Sequence, residues 1–142
     1  EQNKIFIENH LNAFKASLEE FLEKQDSWAG FSARCLADYI TKHDPTIPID
    51  PIATSKKTLT RDDLYAATLA IDKKNNLDFI VDVLSWGGVN RSHAAKALSP
   101  EYRQAIIDIV GSLRLNRIAS KDAYGKFYNL RMHNQMPGLG PA

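Results

Sequence analysis

The sequence predicts an all-α protein, a single multi-helix domain of 142 residues, on three observations. Apolar residues recur every three or four positions through most of the chain, the period of a helix with one buried stripe. Residues that start and stop helices fall at the edges of those stretches. Proline and glycine gather mainly at 43–57, 87–88 and 137–141, cutting the chain into helix-length pieces.

Ile7, Leu11, Phe14, Leu18, Phe21 and Leu22 predict a long amphipathic helix over 4–24 with a buried stripe, ended by Gln25-Asp26-Ser27. Phe31, Cys35, Leu36, Tyr39 and Ile40 give a second helical face over about 28–42. Pro45, Pro48 and Pro51 resist both helix and central strand, so 43–57 reads as an extended internal loop. Thr60 with Asp63 three residues on resembles a short-chain capping box, and Leu64, Ala67, Leu69 and Ile71 carry a helix from there to about Lys73. Asn75-Asn76 offers a break. Residues 77–86 are apolar nearly all round and predict a central helix, with a short buried strand as the rival reading because several are β-branched. Gly87-Gly88 ends that element, and Asn90 or Ser92 caps a short segment through Leu98. Ser99-Pro100-Glu101 starts the next helix, lined on one face by Tyr102, Ile106, Ile109, Val110 and Leu113. Ser120 opens the last one, with Tyr124, Phe127, Tyr128 and Leu130, running to about His133.

Apolar residues make up 44% of the chain and charged residues 25%, which are the proportions of an ordinary globular domain. No apolar run approaches the ~20 residues that cross a bilayer, and there is no signal-peptide pattern, so a cytoplasmic location and no membrane partner are expected. The single cysteine, Cys35, cannot form an internal disulfide and reads as a buried spectator. His10, His43, His93 and His133 lack ligand spacing, so no metal or cofactor is expected. The acidic pairs Glu19-Glu20 and Asp62-Asp63 read as solvated faces or charge at a helix start. No phosphate loop, nucleophile elbow or metalloprotease motif is present.

Chemistry concentrates at the C-terminal end. In Met136-Pro137-Gly138-Leu139-Gly140-Pro141-Ala142, Pro137 stops a helix and Pro141 suits the first position of a new one. Gly138 and Gly140 let a ligand approach the main chain closely, and Leu139 between them points inward to hold two helices together. The amides around Gly138 and Gly140 would face an anion such as a backbone phosphate. The turn therefore reads as the start of a helix-hairpin-helix motif, truncated as its second helix begins; the alternative is a helix cap followed by a Gly/Pro-rich tail. Net charge is only +1, yet residues 1–85 hold ten Lys and Arg against fourteen Asp and Glu, and residues 86–142 hold eight against three. Lys121, Lys126 and Arg131 flank the turn and Arg114 and Arg117 precede them, residues that a phosphate-binding surface would use.

This order of elements resembles the helix-hairpin-helix DNA glycosylases, in particular bacterial proteins with the fold of 8-oxoguanine DNA glycosylase. The residues that carry the resemblance are the hairpin at 136–141, Asp82-Val83-Leu84-Ser85 leading into Trp86-Gly87-Gly88, and Tyr124-Gly125-Lys126-Phe127-Tyr128-Asn129-Leu130-Arg131-Met132-His133. The resemblance implies base excision, in which the hairpin grips a phosphate of duplex DNA while an altered base is flipped into a pocket and its glycosidic bond is cut. It assigns DNA binding to Pro137, Gly138, Leu139, Gly140 and Pro141, with Lys126 and Arg131 beside them. It makes Trp86, Gly87, Gly88 and Asn90 a candidate loop for entering the gap left by the flipped base, although Trp86 also continues an apolar helical face. Ala142 falls where the family's lyase lysine would stand and the catalytic aspartate would lie beyond it, so the domain is expected to continue past Ala142, or to be completed by a second chain. The remaining readings are a DNA-binding module without excision and a helical interaction or scaffold protein with an incidental tail.

Overall fold

The computed structural model describes residues 2–27, 30–50 and 53–134 of the chain. They form seven helices and no strand: α1 (Gln2–Ser27), α2 (Ala33–His43), α3 (Arg61–Leu69), α4 (Asn76–Trp86), α5 (Arg91–Ala97), α6 (Pro100–Arg114) and α7 (Ser120–Asn134). The all-α expectation holds, and the 77–86 stretch is a helix rather than a strand.

Local chemistry explains most of the boundaries. Ser32 accepts from the Cys35 amide at the start of α2. Thr60 and Asp63 form a reciprocal capping box at α3, with Thr60 N–H donating to Asp63 at 2.8 Å. Asn75 and Asn90 accept from the amides of Asp78 and Ser92, starting α4 and α5. Pro100 occupies the first turn of α6, where a missing N–H costs nothing. Gly88, at φ 66°, makes the turn between α4 and α5 that a side chain would strain.

α4 is the centre, packed on α2, α3 and α6; α5 lies on α2, and α7 on α6. Leu36, Ile40, Ile80, Val81, Leu98 and Ile106 belong to one continuous buried cluster. Ile47 and Ile49, from the loop after α2, enter the same cluster, so the proline-rich segment carries part of the core despite having no regular structure.

Three sequence expectations are corrected here. The α1 stripe is exposed: Ile7, Leu11, Phe14, Leu18, Phe21 and Leu22 are each 44–66% accessible, and no α1 side chain among those described enters the core. The spacing of apolar residues made the helix legible, but burial also needs a neighbouring element to pack against. α3 ends at Leu69 instead of Lys73, with Leu69 67% exposed, because Ala70 leaves the helical conformation and the chain turns through residues 71–73. Cys35 is exposed, since α2 turns Ala33, Leu36, Ala37 and Ile40 inward.

The centre also holds polar groups. Asp78 and Asp82, one helical turn apart on α4, are each 1% exposed. Asp78 accepts from the Asp50 amide at 3.1 Å and from Asn75 Nδ2 at 2.7 Å. Lys74 pairs with Asp82 through Oδ2, while Asp82 Oδ1 has no partner among the described residues. Burial pushes both carboxyls above the usual carboxylate range. For Asp78 the nearby Asp50 charge adds to that effect and the Asp50 amide opposes it; for Asp82 the opposition comes from Lys74.

Candidate nucleic-acid interface

Two of the residues singled out for DNA contact, Lys126 and Arg131, lie on α7. The turn residues Pro137, Gly138, Leu139, Gly140 and Pro141 lie outside the described residues. α7 is anchored by its inner face, where Ala123 is 2% exposed and Phe127 and Leu130 pack against the core. That anchoring leaves Tyr124 and Tyr128, which the sequence grouped with the apolar residues, 65% and 51% exposed. Lys121 and Arg131 are exposed as well. At about 100° per residue, Lys121, Tyr124, Tyr128 and Arg131 project from one side of the helix, so two aromatic rings stand between two cations. Lys126 points roughly 140° away from Arg131 on the same geometry. The two predicted contacts therefore do not share a face; Lys121, toward the other end of α7, shares one with Arg131.

Arg114 leaves the proposed basic surface altogether. It is 6% exposed, and its two terminal nitrogens donate to the carbonyls of Ala67 and Lys74 and to Asn76 Oδ1, each at 2.9 Å. Its guanidinium lies over the Phe79 ring, 4.6 Å from the centroid. Burial pushes its pKa below the ordinary arginine value. Arg114 thus ties the end of α6 to the loop between α3 and α4, whereas Arg117, on the link to α7, is exposed.

The Trp86–Asn90 turn divides in the same way. Trp86 is half-buried and packs against the core, as a continuation of the apolar face of α4. Gly87, Gly88 and Asn90 are exposed, but the Asn90 side chain is occupied in capping α5, accepting from both the amide and the hydroxyl of Ser92. Arg91, next in line, rests over Phe31, 5.7 Å from the ring centroid, and His93 is exposed.

Sequence reasoning missed two features. One is the set of buried Asp78, Asp82 and Arg114 with half-buried Lys74, whose signal was a pair of acids one turn apart in an otherwise apolar helix. The other is an apolar cleft of about 460 Å³ between α4, α6 and α7, lined among others by Phe79, Ile80, Val83, Val110, Leu113 and Phe127. Arg114 and Thr68 also border it, the former engaged as above and the latter donating to the Leu64 carbonyl. The cleft thus offers shape and apolar contact more than hydrogen bonds. Among the described residues no group of three His, Cys, Asp or Glu could hold a metal, and no helix is long and apolar enough to cross a membrane. Comparison with protein-family models, with curated proteins and with solved structures finds no match to this chain.

Proposed function

We propose that the chain is the DNA-holding part of a glycosylase-like base-excision protein. The observation that carries the reading is the outer face of α7, where Lys121, Tyr124, Tyr128 and Arg131 stand exposed a few residues before the Pro137–Pro141 turn. Cations at the ends of the face neutralise phosphates, and tyrosine rings between them stack on bases whatever their sequence. In this proposal the amides around Gly138 and Gly140 hold a further backbone phosphate. Within the described residues the carboxyls that burial pushes up, Asp78 and Asp82, are enclosed and engaged by Asn75, the Asp50 amide and Lys74, so these residues support the grip rather than the bond cleavage.

The test is duplex-DNA affinity as a function of salt. The expected result is a steep fall of affinity with salt, a slope lowered by about two in Lys121→Ala/Arg131→Ala, and weakening on any sequence in Gly138→Asp. Affinity that ignores salt and all three substitutions overturns the reading in favour of a helical scaffold.

A further inference from the structure

We infer that α1 is the interface for a second copy of this chain, pairing with it as an antiparallel two-helix coiled coil. Ile7, Leu11, Phe14, Leu18 and Phe21 follow one another at intervals of four, three, four and three residues. That is the strict two-position repeat of a coiled-coil seam, narrower than the stripe of a helix that packs on a globular core. Every described side chain of α1 is exposed, those of the seam included. A helix of this composition draws little stability from propensity alone, and no described side chain of α1 belongs to the core cluster.

Charge points to another α1 as the occupant, and the area is that of a weak, reversible pair. With Leu11 against Phe14 and Ile7 against Leu18, four seam residues of each copy face one another and cover about 800 Å² at about 100 Å² per side chain. Glu8 and Lys15 occupy the same flanking position of successive repeats. Set antiparallel with Leu11 against Phe14 and Ile7 against Leu18, two helices bring Glu8 of each copy beside Lys15 of the other, twice by symmetry. The parallel arrangement sets His10 against Lys15 and Ser17 against Leu22, with no opposite charges facing each other. The repeat that failed to bury α1 within the chain thereby becomes its recognition surface.

Sedimentation of the full chain over a range of concentrations tests the proposal. The expected result is a reversible dimer. Leu11→Asp/Leu18→Asp should raise its dissociation constant at least 100-fold while the circular dichroism of the body is retained. Glu8→Lys should raise it about 5-fold, and Glu8→Lys/Lys15→Glu should restore it. A chain that stays monomeric at about 100 µM overturns the proposal, as does a monomer whose α1 instead binds vesicles of phosphatidylserine and phosphatidylcholine. A dimer indifferent to Leu11→Asp/Leu18→Asp, or one broken by it yet untouched by Glu8→Lys, likewise overturns the antiparallel pairing.

Discussion

α1 and α4 are both helices rich in apolar residues, yet their surroundings are opposite. α4 lies in the middle of the core and encloses two carboxylates, whereas α1 exposes a row of isoleucine, leucine and phenylalanine. Hydrophobic content already differs, seven of eleven residues being apolar in α4 against ten of twenty-six in α1. The breadth of the apolar surface differs with it: α4 is apolar nearly all round and meets α2, α3 and α6, while α1 has a single seam. An all-round apolar helix can be buried only in the centre of its own domain; a one-seam helix is satisfied by any single partner, from its own chain or another.

The sharpest way to break that contrast is through the polar groups around α4. Arg114→Ala removes the donors for the Ala67 and Lys74 carbonyls and for Asn76, and exposes one face of Phe79 to a void. The expected loss of stability is about 3–5 kcal/mol in denaturant unfolding. Arg114→Lys keeps the charge but not the planar fork and should recover only part of it. A loss below ~1 kcal/mol for Arg114→Ala would mean that the interior is organised by its apolar residues alone. Next in size is Gly30→Ala. Gly30 has φ 54°, and a Cβ there would lie 2.4 Å from the carbonyl oxygens of Ser85 and Trp86 at the end of α4. Backbone must shift to admit it, so at least about 2 kcal/mol should be lost, with hydrogen exchange in the last turn of α4 accelerating first.

Asp78 and Asp44 give a smaller test whose sign is diagnostic. Asp78 is pushed up by burial, so its folded form holds a proton to higher pH than its unfolded form. Its contribution to stability is present in full below the ordinary aspartate value of about 3.9 and is lost as pH rises through the raised pKa. The stability of Asp78→Asn relative to wild type should therefore climb between about pH 3 and pH 7. Asp44 runs the other way. Hydrogen bonds from Thr46, with Arg103 at 2.9 Å, hold its carboxyl below the usual range. Its contribution is present above the ordinary value and lost as pH falls through the lowered one, so Asp44→Asn should lose ground to wild type as pH rises toward about 4 and hold level above that. Thermal unfolding at several pH values checks both signs.

The legibility of these features in the sequence followed the range of the interactions behind them. Thr60 with Asp63, Asn75, Asn90 and Pro100 act within one helical turn, and the boundaries they set were readable directly. Thr60→Ala should accordingly cost about 1 kcal/mol and fray only α3. The role of Arg114 was not readable, because its acceptors lie about forty residues away and nothing local distinguishes it from the exposed Arg117. The split of α7 into an anchored face and an outer face was half readable. Phe127 and Leu130 announced the inner side, but Tyr124 and Tyr128 carry the same apolar signal with the opposite exposure, and only the packing of α6 against α7 decides between them. Lys126 and Arg131 were grouped by nearness in sequence, which the turn of a helix does not respect.

The smallest expected effect tests the other half of the comparison. Leu18→Asp places a charge in the middle of the α1 seam, where Leu18 is 44% exposed and touches nothing in the core. In a buried helix the same substitution is among the most damaging there are. In α1 the unfolding of α2–α7, followed by hydrogen exchange in α4 at protein concentrations too low for self-association, should move by no more than ~0.5 kcal/mol. Raising the concentration should then protect the amides of α1 in the wild type but not in the variant, with exchange in α4 unchanged in both, since only a second molecule can make the seam count. A large loss at low concentration would instead show that α1 packs within its own chain, and the contrast between the two helices would disappear.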